Sequence, residues 1–177
     1  HTISRRQRQM CIRDRNNSDS QSIAYITEAL TNFPVKEIIT ETQTEAEILK
    51  LIANADVFVS LHRSEGFGLI IAEAMALNTA VITTAFSGNM DFCTAENSYL
   101  IDFDLVPMSY KEYPHLDWGF WAEPDLEDAT EKLESIIADR DQLAHKTQAA
   151  HEDIWKKYSA AAIAKELRKS RLISDLL

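Results

Sequence analysis

The sequence predicts an α/β fold built on a Rossmann-like parallel sheet, on three observations. Strand-sized apolar runs alternate with segments of helical periodicity along most of the chain. Those strand candidates are continuously apolar rather than alternating, as in parallel sheets covered on both faces. The clearest unit spans Asp56 to Phe92. There a buried strand (Asp56 to Leu61), a glycine-bearing turn (Glu65 to Gly68), an apolar helix (Leu69 to Leu77) and a second buried strand (Ala80 to Thr84) follow one another. A small-residue turn, Ser87-Gly88-Asn89, closes the unit.

Taken in order, the other elements fit the same pattern. Ile23, Ile26, Ala29 and Leu30 recur at helical spacing up to Pro34, which ends the run. Val35 to Thr40 is a short β-branched strand, and Thr44 to Glu47 has the form of a capping box. Ile48, Leu51, Ile52 and Ala55 give the next helix its apolar face. Beyond the central unit, Ser98 to Asp102 is a further strand, and Phe103 to Ala122 an irregular, aromatic-rich excursion. Asp125 to Asp128 caps a helix with apolar positions Ala129, Leu133, Ile136 and Ile137. Two more helices are expected, Asp141 to Lys157 and Ser159 to Ile173, with Ser159 as N-cap of the last.

Composition narrows the function classes. The 177 residues carry a net charge of −10, which argues against nucleic acid as a partner. No apolar run approaches the roughly 20 residues that span a bilayer, and no secretory signal pattern is present. Cys11 and Cys93 offer neither a disulfide framework nor metal-ligand spacing, and the expectation is a cytoplasmic protein. Residues 1–15 stand apart, with five arginines and one aspartate. They have no helical or strand period, resemble translated adapter sequence, and are set aside from the fold as an artefactual or disordered tail. Residues 16–177 are then one Rossmann-like domain with a helical C-terminus.

Chemistry concentrates in the central unit. Ligands of open α/β sheets bind beyond the carboxyl ends of the strands, where the Glu65 to Gly68 turn lies. Gly66 and Gly68 permit close backbone approach or positive φ, and the first amides of the following helix can seat a phosphate. Glu73 interrupts an otherwise apolar helix. A buried unpaired carboxylate costs several kcal/mol, so it needs a hydrogen-bonding partner. A ribose cis-diol about 6–7 Å along the axis from the phosphate seat would suit its two oxygens. A place on a one-sided helix surface, or a pairing with a core Arg or Tyr, stays open. Glu65 can face sugar hydroxyls or simply complement the helix dipole. Arg63 can neutralise a diphosphate or form a sheet-end salt bridge; His62 can bond substrate or be a satisfied structural imidazole. His115, His145 and His151 are expected to face solvent, and no metal is called for.

The string Ser64-Glu65-Gly66-Phe67-Gly68-Leu69, followed by Glu73-Ala74-Met75-Ala76, Val81-Ile82 and Ser87-Gly88, resembles the E-x7-E signature of family 4 ("group 1") glycosyltransferases. The resemblance covers about residues 20–170 and implies the C-terminal, donor-binding half of a GT-B fold, incomplete at its N-terminus. It implies a retaining, nucleotide-sugar-dependent transferase, and the wider string is similar to enzymes of bacterial surface polysaccharide synthesis. Glu73 would then bind the ribose and Glu65 the transferred sugar, as the catalytic candidate. The amides from Gly66 through Phe67 and Gly68 to Leu69 would meet the diphosphate or sugar. The implied partners are the nucleotide diphosphate sugar as substrate, a glycan or lipid-linked glycan acceptor, and a missing N-terminal Rossmann domain. No cofactor is implied, and the place of work is the cytoplasm or the inner face of the membrane. Asn78 and Ala80 replace a Gly and a Pro common in the family, and Asp91 stands where Glu is frequent. The family's diphosphate-clamping Arg and Lys have no counterpart. That absence motivates a competing expectation, a non-catalytic nucleotide-sugar-binding or scaffold module. The lack of G-x-G-x-x-G with a following acidic residue sets aside a dinucleotide oxidoreductase.

Overall fold

The computed structural model describes residues 11–13, 37–39, 43–108 and 119–169. They fall into two compact units, His1–Leu51 and Ile52–Leu177. In the first unit β1 (Cys11–Arg13) and β2 (Glu37–Ile39) pair in parallel, Cys11 opposite Glu37 and Arg13 opposite Ile39. β2 lies inside the expected strand. β1 falls within residues 1–15, which the sequence reading set aside; three residues are too few to display a period of two. The helix expected from Ile23 lies outside the described residues.

Helix α1 (Glu45–Asn54) starts from the expected capping box. The Thr44 N–H and hydroxyl donate to Glu47 Oε2 at 2.8 and 2.7 Å, while Thr44 Oγ1 accepts from the Glu47 N–H at 3.3 Å. These Thr44 donors hold the Glu47 carboxyl below its ordinary range.

In the second unit β3 (Val57–Ser60), β4 (Ala80–Thr84) and β5 (Tyr99–Ile101) form a parallel sheet in the order β3-β4-β5. Every residue of β4 is buried, which is why it reads as an unbroken apolar-and-threonine run. β3 is only half-buried, with Val59 43% exposed, against the expectation of a buried strand. It ends the order of its sheet, so its apolar sequence exceeds its burial. Helix α2 (Leu69–Ala76) joins β3 to β4, packs against β4, and buries Ile71, Ala74 and Met75. Ile82, Tyr99, Ile101, Ala129 and Ile136 make one core cluster. Each large aliphatic there contributes about 1.5–3 kcal/mol by leaving water.

The end of α2 explains the Asn78 substitution. Leu77 caps the helix, Asn78 takes φ +60°, its N–H donates to Met75 O at 3.1 Å, and the Thr79 N–H donates to Ala74 O at 3.0 Å. This is a Schellman stop, with Asn in the left-handed position that glycine holds most cheaply. Asn78→Gly is therefore expected to stabilise the fold by about 0.5–1 kcal/mol. A chemical-denaturation midpoint that falls rather than rises would contradict this.

The expected irregular excursion is corrected at both its flanks. β6 (Phe103–Pro107) and β7 (Phe120–Pro124) form an antiparallel hairpin in which Phe103 faces Pro124 and Pro107 faces Phe120. Prolines at the ends of both strands hid them, since proline argues against strand in a sequence. Tyr110, Tyr113, Pro114, His115 and Trp118 lie outside the described residues.

Three helices close the unit: α3 (Leu126–Ala138), α4 (Arg140–Tyr158) and α5 (Ala160–Lys169). Asp125 Oδ1 accepts from the N–H groups of Glu127 and Asp128, Asp139 Oδ1 from Gln142, and Ser159 Oγ from Ala162. On α3, Ala129 and Ile136 are buried as expected, while Leu133 and Ile137 are exposed. Ile137 projects about 100° away from Ile136, so the buried stripe is narrower than the apolar one. Among the described residues no helix is long and apolar enough to cross a membrane.

Candidate active site

The loop after β3 delivers the candidate residues. Gly68 takes φ +87° and is the N-cap of α2, without any side-chain cap. A β-carbon there would lie 3.2 Å from Ile71 Cδ1, so the position is strained for any other residue. The N–H groups of Ile71 and Ala72 both donate to Gly68 O. The amides of Leu69 and Ile70 precede them and have no partner among the described residues. That leaves an open helix N-terminus with two free donors and a positive partial charge, which is what an anion needs. The Leu69 side chain is 70% exposed, so its contribution to such a seat is its amide. Gly66 is exposed, with nothing near its missing β-carbon. Phe67 packs against Phe92 and Tyr158, with ring centroids 5.1 and 5.4 Å away. Its side chain anchors the turn, and only its backbone can serve a ligand.

Glu65 is half-buried, and its carboxylate has no hydrogen bond or ion pair among the described residues. Its backbone is held on both sides by the loop after β4. The Glu65 N–H donates to Ser87 Oγ at 2.7 Å, and the Gly88 N–H donates to Glu65 O at 3.1 Å. Gly88 comes so close that a β-carbon would collide with the Gly66 carbonyl and lie 2.9 Å from Phe67 Cα. Ser87 adopts φ +71°, ψ −147°, a region almost reserved for glycine.

Glu73 stands in the second turn of α2 and is half-buried, which corrects the expectation of burial. The eight-residue helix turns Ile71, Ala74 and Met75 inward. Glu73 lies four residues after exposed Leu69, on the same face. It engages a polar partner and is not an isolated charge.

His62 and Arg63 are committed within the chain. His62 Nε2–H donates to Phe86 O at 3.0 Å, which leaves Nδ1 to accept from the hydroxyls of Ser60 (3.3 Å) and Thr83 (3.5 Å). This is the satisfied structural imidazole that the sequence left open, and it ties the two loops together. Arg63 pairs with Glu123 Oε2 at 2.5 Å, lies 5.1 Å over the Trp121 ring, and accepts the Ala122 N–H on its carbonyl. Both charged groups are nearly half exposed, so the pair adds at most about 1 kcal/mol.

The sequence profile of the family described as "Glycosyl transferases group 1" matches residues 20–153, well over half of the chain. The chain belongs to the group 1 glycosyl transferases. Solved structures share the fold. Alr3699/HepE from Anabaena, solved in complex with UDP and glucose, is 15% identical with a TM-score of 0.64 over 88% of this chain and 36% of its own. Sucrose-phosphate synthase (tll1590) from Thermosynechococcus elongatus is 18% identical with a TM-score of 0.66, over 95% of this chain and 38% of its own. The C-terminal domain of the group 1 protein LpcC from Francisella tularensis is 21% identical with a TM-score of 0.59, over 79% of this chain and 62% of its own. The chain thus spans little more than a third of the first two. Curated protein sequences gave no significant match.

Within this group 1 domain, Glu65, Gly68 and Leu69 lie on one loop, which is braced against its neighbour by Ser87, by Gly88 and by the His62 to Phe86 hydrogen bond. Sequence reasoning named Ser87 and Gly88 as turn residues and as part of the family string, without a role of their own; positive φ at a serine leaves no trace in composition. A separate cleft of 430 Å³ is lined by Asp102, Asp104, Glu123 and Asp125 with Phe103 and Pro124. Four carboxylates would repel a diphosphate, so it is not the donor seat. Among the described residues no cluster could hold a metal. His145 is exposed as expected, whereas His151 is half-buried with its Nδ1 shut away from solvent. Burial pushes the Cys93 thiol up to about 12, which leaves it unreactive.

Proposed function

We propose that this domain seats a nucleotide diphosphate sugar for a retaining, family 4 glycosyltransferase working on a glycan or lipid-linked glycan acceptor. The observation that carries it is the uncapped N-terminus of α2, with the Glu65 carboxylate, unpartnered among the described residues, just before it and Glu73 one turn inside. In E-x7-E terms, Glu65 faces the transferred sugar and Glu73 accepts from the ribose hydroxyls. The Leu69 and Ile70 amides meet the diphosphate. An acceptor oxygen bonds to the anomeric carbon from the face that the leaving phosphate vacates. The bond from that carbon to the phosphate oxygen breaks with its electron pair, and the acceptor proton passes to the departing diphosphate. The protein contributes positioning and stabilisation of the leaving charge. Bacterial surface polysaccharide synthesis at the cytoplasmic side of the inner membrane is the setting that the wider sequence string supports.

A non-catalytic nucleotide-sugar-binding module is favoured by one observation. Arg63, the basic side chain nearest the seat in sequence, is engaged by Glu123 rather than free for a diphosphate. Glu73→Ala in the full-length protein tests the seat common to both. Losing charge-assisted hydrogen bonds to ribose should weaken UDP ten- to a hundredfold, about 1.4–2.7 kcal/mol, by calorimetry. Unchanged affinity would remove the ribose assignment. Sugar transfer by the wild type then separates enzyme from module.

A further inference from the structure

We infer that Ser87 is a positioning residue for Glu65, held in a strained backbone conformation so that its hydroxyl can fix the peptide that carries the catalytic carboxylate. The inference rests on the glycosyl-transfer reading of Glu65. Three observations converge on it. The Glu65 N–H donates to Ser87 Oγ at 2.7 Å, across 22 residues of sequence. The next residue, Gly88, donates its N–H to the Glu65 carbonyl at 3.1 Å. Both backbone polar groups of Glu65 are therefore spoken for by two consecutive residues of another loop, while its carboxylate has no partner among the described residues. Finally, Ser87 has φ +71° and ψ −147°, where an L-residue costs of order 1–3 kcal/mol.

A glycine would adopt that backbone without strain but could not accept the hydrogen bond. The serine makes sense if the acceptor matters more than the strain. Below it, Asn89 Nδ2 donates to Thr84 O at 2.9 Å, and Gly88 abuts the Gly66 carbonyl. The loop therefore has little room to drift, and the Ser87 oxygen is presented from a fixed frame. Holding the turn by its backbone leaves both carboxylate oxygens of Glu65 for a ligand. An ion pair to that side chain would instead compete with the sugar.

Ser87→Gly separates positioning from structure, because strain relief and loss of the acceptor act in opposite senses. In the full-length protein, UDP-glucose serves as the probe donor and UDP release as the turnover readout. The variant should melt no lower than the wild type, bind UDP within twofold, and release UDP at least tenfold more slowly. In a Glu65→Gln background the same change should cost less than twofold, since there is no carboxylate left to position. Full turnover in Ser87→Gly, or an equal loss in the Glu65→Gln background, would overturn the positioning role. Amide hydrogen exchange reads the contact without any substrate: the Glu65 N–H should be protected in the wild type and at least tenfold less so in Ser87→Gly. Equal protection in both overturns the proposal. If UDP-glucose neither binds nor turns over but the protection is lost as expected, the positioning of Glu65 stands and the glycosyl-transfer reading fails.

Discussion

Glu65→Gln is expected to slow sugar transfer by 10²–10³-fold in the full-length protein while leaving UDP affinity within about twofold. The change keeps the size of the side chain and one carbonyl oxygen but removes its negative charge. In the proposed role that charge faces the sugar, whose anomeric carbon becomes electron-poor as its bond to phosphate breaks. Removing one preorganised electrostatic contact of this kind costs about 2.7–4 kcal/mol of transition-state stabilisation. The backbone frame should survive, because Ser87 and Gly88 hold the Glu65 peptide groups and not its side chain. The effect should therefore lie in kcat and not in the melting temperature. A variant that turns over normally would remove Glu65 from the chemistry.

Gly88→Ala is expected to be the most damaging methyl group that can be added to this loop. The new β-carbon would run into the Gly66 carbonyl carbon at 2.6 Å and Phe67 Cα at 2.9 Å, and both are backbone atoms that cannot rotate away. The two loops would have to part, breaking the Gly88 N–H to Glu65 O bond. Overpacking against backbone costs about 1–3 kcal/mol, and a lost hydrogen bond adds about 1 kcal/mol. Together these lower Tm on the order of 10 °C. Donor binding should weaken as well, because the turn that opens α2 is displaced. Gly66→Ala serves as the control, since its β-carbon would meet nothing. Equal stability of the two variants would show that the close approach of the loops is not needed.

The parallel sheet and the helix that links its strands were legible because burial leaves a local pattern. Ala80–Thr84 is apolar or threonine throughout, and every residue proves buried. Caps were equally legible: Thr44 with Glu47, Asp125 and Ser159 all act as their positions foretold. The β6–β7 hairpin was not, because its pairing joins residues up to 21 apart and its prolines argue against strand. Glu73 was expected to be buried because its neighbours are apolar. An eight-residue helix has a free flank even when its composition is uniform, and Glu73 lies there. Of the candidate site, the turn and its glutamates could be read from spacing. The engagement of His62 with Phe86 and of Arg63 with Glu123 depends on which strands lie side by side, which spacing does not reveal.

The placement of the two glutamates at opposite ends of one bound donor is tested most directly by titrating UDP and UDP-glucose into the wild type, Glu65→Gln and Glu73→Ala. The full-length protein and calorimetry should be used throughout. Glu73→Ala should weaken both ligands by the same ten- to a hundredfold, because both carry the ribose. Glu65→Gln should leave UDP alone and weaken only UDP-glucose, because the sugar is the part it faces. Loss of UDP affinity in Glu65→Gln, or intact affinity in Glu73→Ala, would contradict the assignment of the sugar end to Glu65 and the ribose end to Glu73.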